Sequence, residues 1–236
     1  MHPVSIPLPL ASFTVSDWWS VTSADLEHIA SAWLGPLPSG WVRRGDNFIR
    51  VGNVKYGSTA RRLDAELSAL SAEAKRILAA GRPESVLRAA EANALAAAAF
   101  YHLRFENIHP LCEANGRIGR LLLAGQLHQS LRVPVTDTLQ GLKDWEADYS
   151  RLFATNNPPV MFELLLDLLG RITGCPLSPA AMTLPASIEP LFPQKNVPAN
   201  VARLHPEKAL ANPALVKQFA SRPRGQTGGN NFRKFY

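Results

Sequence analysis

Cysteine is scarce in this chain of 236 residues: Cys112 and Cys175 are the only two. Two thiols make neither a disulfide scaffold nor a cysteine-rich metal module, and they suit a reducing compartment. Long apolar runs are also missing. Leu121–Leu123 and Leu164–Leu166 sit inside short, interrupted patterns, so no membrane span is expected. The first ten residues lack a basic start, and Pro3, Pro7 and Pro9 break any helical signal core. These absences predict a soluble, cytoplasmic protein with no membrane partner, and they leave delivery into another cell open.

A basic core is lacking too. The formal charge of +6 arises almost entirely after residue 195, where seven Lys and Arg face a single acid, Glu207. Residues 1–195 are balanced, so nucleic acid is not expected as a partner of the core. Phe219, Phe232, Phe235 and Tyr236 stand among the tail's basic residues, but in Gly-rich spacing without a recognised binding module. Proline divides the chain in the same place, with nine of 19 prolines in residues 176–236. Each removes a backbone donor and clashes one turn back, so no long helix is expected there. The reading is a compact domain over residues 12–175 and a Pro-rich, basic, partly flexible extension over 176–236. At 46% hydrophobic residues, the chain can bury a core without staples.

Periodicity within the domain is mostly helical. Residues 23–34 place Leu26, Ile29, Ala30 and Trp33 on one face, with Ser23 as a cap and Gly35-Pro36 as a stop. Phe48–Val51 and Val54–Tyr56 are strand-like runs about Gly52-Asn53, a hairpin signal. From Thr59 to Ala80 the stripe is Leu63, Leu67, Leu70, Ala74 and Ile77. From Glu84 to Glu106 the pattern is apolar nearly all round, the mark of a central helix. Asn115–Leu131, Asp144–Ala154 and Val160–Ile172 complete a mainly α fold with one small hairpin.

The chemistry concentrates between that central helix and the next. His109 precedes a proline where the helix must end, and Glu113 follows in a short loop. Ala114-Asn115-Gly116 opens a new helix, from which Arg117 and Arg120 project three residues apart. A helix N-terminus favours an anion, Gly116 lets a ligand come close, and two arginines bring forked phosphate donors. A carboxylate can hold Mg²⁺ against phosphates, and a neutral histidine can take a proton. Singly, each residue has an ordinary explanation: a helix-end cap for the histidine, a solvated face for the arginines. Together they suit phosphoryl or nucleotidyl transfer to a hydroxyl.

The whole string, His109-Pro110-Leu111-Cys112-Glu113-Ala114-Asn115-Gly116-Arg117-Ile118-Gly119-Arg120, resembles the Fic family signature His-Pro-Phe-x-(Asp/Glu)-(Gly/Ala)-Asn-Gly-Arg-x-x-Arg. Leu111 alone departs from it, replacing an inward-packing Phe. The similarity extends less specifically over residues 40–172. It implies a Fic-like helical bundle with a β-hairpin flap, and a protein adenylyltransferase (AMPylase) moving AMP from ATP to a Ser, Thr or Tyr hydroxyl of a target protein.

By that resemblance His109 is the catalytic base and Glu113 the Mg²⁺ ligand. Asn115, Gly116, Arg117, Gly119 and Arg120 bind the nucleotide, and Phe48, Ile49, Arg50 and Val51 form the flap that docks the target by strand addition. Glycine at 116, where a phosphorylating branch has Lys, favours AMP transfer. Phosphocholine or another nucleotide as donor, or a binding protein with little activity, is the alternative. Many family members carry an inhibitory (Ser/Thr)-x-x-x-Glu-(Gly/Asn) helix. Its nearest match here, Ser23-Ala-Asp-Leu-Glu27-His28, is degenerate, so a separate antitoxin-like inhibitor protein is the favoured partner, as in a toxin–antitoxin pair.

Overall fold

The computed structural model describes residues 15–45, 49–51, 54–56, 58–80, 89–155 and 158–175. The expected extension over 176–236, the start of the central helix at Glu84, flap residue Phe48 and the Gly52-Asn53 turn lie outside the described residues.

Helix α1 spans Ser23–Leu34 and buries Leu26, Ile29 and Ala30. Its cap is Thr22, one residue before the expected Ser23. Thr22 and Asp25 bond reciprocally, side chain to backbone, and close a capping box. The short strands β1, Ile49–Val51, and β2, Val54–Tyr56, pair antiparallel with Ile49 opposite Tyr56 and Val51 opposite Val54. A 3₁₀ turn at Ala60–Arg62 leads into α2, Leu63–Ala79, so the helix proper starts four residues later than Thr59. Its buried stripe is the expected Leu63, Leu67, Leu70, Ala74 and Ile77.

Helix α3, Ala89–Ile108, lies at the centre and packs against α2, against α4 (Asn115–Leu131) and against α7 (Pro158–Thr173). Residues 94–103 are buried without a break, as a helix apolar all round requires. Four consecutive alanines, Ala96–Ala99, let these neighbours come close. Residues 121–127 of α4 are buried in the same continuous way. Trp18 lies over α4 at Gly125, where a Cβ would stand within 2.3 Å of the indole.

Between α4 and α6 (Glu146–Thr155) runs α5, Val135–Asp144, which the sequence reading passed over. Thr136, Asp137, Thr138 and Gly141 are weak helix formers. Burial of Val135, Thr138 and Leu142 on one face outweighs that local preference. No helix among the described residues is long and apolar enough to cross a membrane.

Candidate active site

The segment between α3 and α4 is bounded by two residues in the left-handed region, His109 at φ 54° and Ala114 at φ 63°. Such backbone costs roughly 1–3 kcal/mol per non-glycine residue and persists only where its surroundings dictate it. Here they do. Asn115 donates from Nδ2 to the Leu111 carbonyl at 2.9 Å and accepts at Oδ1 from the Leu111 N–H at 2.8 Å. Leu111 is fully buried, in the inward place expected of it, and its backbone bridges to Val42. The Asn115 amide, expected to line the anion site, is therefore engaged in shaping the loop.

His109 is only 4% exposed. Its Nδ1 faces the Glu106 carbonyl at 3.4 Å. A carbonyl only accepts, so the ring proton sits on Nδ1 and the lone pair on Nε2. Burial, with a smaller push from the Arg43 charge and against the bond to Glu106, brings the imidazole pKa down to about 4. It is neutral at physiological pH, the state a base requires.

Helix α4 begins just beyond. No side chain caps it, and Ala114 in its left-handed conformation leaves the first-turn N–H groups without a side-chain acceptor. Gly116 puts no side chain over that turn. Arg117 follows, half-buried, and its Nε is enclosed without a hydrogen-bond partner among the described residues. Arg120, one turn on, holds its guanidinium 5.7 Å from the centre of the Tyr149 ring. Glu113 stands exposed in the loop ahead of the helix. Among the described residues no cluster of three His, Cys, Asp or Glu side chains could hold a metal by itself. A single free carboxylate suits Mg²⁺ that shares its coordination with phosphate oxygens, and does not suit an all-protein metal cage.

Residues 25–127, from α1 through most of α4, match the model of the Fic/DOC family. These residues form a Fic domain. The general class of chemistry is thereby that of a Fic-type transferase, and target proteins are the partners this class implies. Comparison with curated proteins finds no match, and comparison with solved structures finds none.

Beneath the Fic motif lies a buried polar cluster that the sequence reading missed. His102 accepts at Nε2 from the Tyr149 hydroxyl at 2.8 Å, while its Nδ1–H donates to the Gly119 carbonyl at 3.2 Å. Burial, assisted by the Arg120 charge, lowers its pKa to about 3 and keeps it neutral. Glu106 reaches the same place with Oε1 buried and unpaired. A Cβ at Gly119 would lie 2.3 Å from that oxygen and 3.3 Å from the His102 ring. Gly119, expected at the nucleotide, thus faces α3, and its lack of a side chain is accounted for by helix packing.

Burial raises the Glu106 pKa from 4.5 to about 7, against the pull of Arg120. The unfolded chain ionises this group first, so its contribution to stability is greatest below pH 4.5 and declines as the pH rises towards 7. The Glu106→Gln variant should therefore gain on wild type over that interval, measured by urea unfolding at a series of pH values. A difference that stays constant across the interval would mean that Glu106 is ionised in the folded protein.

The nearest match to an inhibitory helix has another use in this Fic domain. Glu27 accepts from the backbone N–H of Trp41 at 2.8 Å and of Val42 at 2.9 Å, and it forms no ion pair with Arg120. Ser23 is simply the first residue of α1. The flap residues Ile49, Arg50 and Val51 form β1, and β2 lies beside α3.

Proposed function

We propose that this Fic domain is a protein adenylyltransferase that moves AMP from ATP to a Ser, Thr or Tyr hydroxyl of a target protein. The observation that carries the reading is the conjunction at the α3–α4 junction. A buried neutral imidazole with its Nε2 lone pair available stands in the loop ahead of an uncapped helix N-terminus, and that helix holds an enclosed, unpartnered Arg117 Nε. An anionic ligand with several acceptor oxygens satisfies both donor sets.

In this reading the target hydroxyl attacks the α-phosphorus and its proton passes to Nε2 of His109. The bond from the α-phosphorus to the bridging oxygen breaks, and pyrophosphate leaves. The first-turn N–H groups at Gly116 receive charge building on the phosphoryl oxygens, and Arg117 and Arg120 take the departing phosphates. Glu113 would hold Mg²⁺ brought with the nucleotide, and the ion would supply neutralisation of phosphate charge. The chain's own contribution is mainly position and preorganised charge. Among the described residues β1, Ile49–Val51, pairs with β2 alone, and its other edge would take an extended target segment. With Glu27 occupied by backbone N–H groups, control falls to a separate inhibitor protein, as for the toxin of a toxin–antitoxin pair.

The test is incubation of the full chain with Mg²⁺ and a cell lysate, using ATP labelled in parallel experiments at the α- and the γ-phosphate. Protein bands labelled from the α-position alone support AMP transfer. Label from the γ-position, or none from either while CDP-choline serves as donor, overturns it.

A further inference from the structure

Among the described residues Arg43 is the most deeply placed arginine outside the motif, at 3% exposure. Its Nε donates to the carbonyl of His109 at 2.5 Å, and one terminal nitrogen donates to the carbonyls of Ser58 at 2.8 Å and Ile108 at 3.2 Å. The other terminal nitrogen reaches the Gly45 carbonyl at 3.1 Å. One rigid fork thus ties the last carbonyl of α3, the carbonyl of the base itself and the backbone after β2 into one unit. A planar guanidinium can do this and an ammonium cannot. Helix-end carbonyls also carry partial negative charge, so a cation is favoured there.

The backbone around Arg43 repeats the connection. The Arg43 N–H donates to the Pro110 carbonyl at 2.9 Å, and the Cys112 N–H donates to the Trp41 carbonyl at 2.8 Å. Val42 and Leu111 form the bridge between these bonds. Residues 41–43 therefore run alongside the catalytic loop, joined to it by an isolated antiparallel bridge. This segment is braced from behind by Glu27 of α1, whose carboxylate takes the Trp41 and Val42 N–H groups. Gly40, at φ 78°, turns the chain into this brace, and a Cβ there would stand 3.4 Å from the Glu27 carboxylate.

We propose that Arg43 is a positioning residue for the His109 base, and that Glu27 is the brace that keeps Arg43 in register with the catalytic loop. The inference rests on the reading of His109 as base. Left-handed backbone at His109 is over-determined by bonds to the carbonyls on both sides of it and to its own, all issuing from the Arg43 residue. The Arg43 charge also favours the neutral ring. Glu91, Arg104, Glu106, Glu113, Arg117 and Arg120 are the other charged side chains of α3, the loop and α4, and they are unchanged in the variants below.

The test uses the full chain and three variants, Arg43→Gln, Arg43→Lys and Glu27→Gln, with folding followed by circular dichroism. Transfer is read as label from α-labelled ATP on protein, ATP affinity by calorimetry, and the His109 titration by proton NMR. A base displaced by about 1 Å loses roughly 100-fold in rate, so Arg43→Gln should lower transfer about 100-fold with ATP affinity changed less than about twofold. Its His109 midpoint should rise, because the charge is gone. Arg43→Lys keeps the charge without the fork, so the midpoint stays while transfer falls, by about tenfold. Glu27→Gln keeps Arg43 and weakens its brace, with a loss of about tenfold and the midpoint unmoved.

A folded Arg43→Gln protein with wild-type rate and midpoint overturns the proposal. If that variant does not fold, wild-type transfer by both Arg43→Lys and Glu27→Gln overturns it instead. His109→Ala serves as the control for the underlying reading. Transfer surviving in that control would remove the base role, whereas the shift of the His109 midpoint in Arg43→Gln does not depend on it.

Discussion

His109→Ala should abolish transfer of label from ATP to protein while leaving ATP affinity within about twofold of wild type, because a general base acts on the incoming hydroxyl and contributes roughly 10²–10⁴-fold. On the proposed reading the nucleotide's partners are the α4 N-terminus and the two arginines, which do not depend on the imidazole. The acid side of the pH–rate profile is the finer measurement. The base must be neutral, so activity is lost as the pH falls through the folded-state value, and burial holds that value near 4 instead of the usual 6.5. The acid limb of kcat/KM in the free enzyme should therefore lie well below pH 6. A limb near 6.5, or a parallel loss of ATP affinity in His109→Ala, would take the base role away from this residue.

The parts of the fold that the sequence made legible are those where burial and local preference agree. The α2 stripe and the all-round apolar α3 were read correctly because their buried positions are mostly Leu and Ala, which are also strong helix formers. Helix α5 was not, since Thr136, Asp137, Thr138 and Gly141 argue locally for a loop and only packing overrules them. The Thr22 cap was missed by one residue because Thr22 and Ser23 carry the same hydroxyl signal. The choice is made by Asp25, which stands three residues after Thr22 and closes the box with it.

At the candidate site the motif marks the loop and the helix where its residues gather, but not the division of labour within them. Asn115 and Gly119 carry a signature without announcing that one amide shapes the loop and one missing side chain makes room for Glu106. A signal for the buried cluster was nonetheless present. His102 and Glu106 are spaced four residues apart, so they share one face in the buried part of α3. Polar side chains placed there must face something that satisfies them. Arg43 had no comparable signal: its carbonyl partners at Ile108 and His109 lie 65 and 66 residues away. A side chain that bonds backbone leaves no trace of its partners' identities.

Arg120→Ala should weaken ATP by roughly 10–100-fold, the equivalent of about 1.5–3 kcal/mol for hydrogen bonds to a charged group, while AMP changes by less than about twofold. On the proposed reading Arg120 serves the terminal phosphates, which AMP lacks. The structure supplies a reason for it to be effective there. Its guanidinium rests over the Tyr149 ring, whose hydroxyl is fixed by His102, so the fork loses little freedom when a phosphate arrives. Arg120→Lys keeps the charge but neither the planar stack nor the fork, and its ATP affinity should fall between the two. Removing Arg120 also removes the charge that favours an ionised Glu106, so the alanine variant should become less stable as the pH rises past 7. Calorimetry with both nucleotides at pH 6 separates the effects, because there Glu106 is mostly protonated in either protein. Equal losses for ATP and AMP at that pH would move Arg120 away from the terminal phosphates and confine it to the buried cluster with Tyr149 and Glu106.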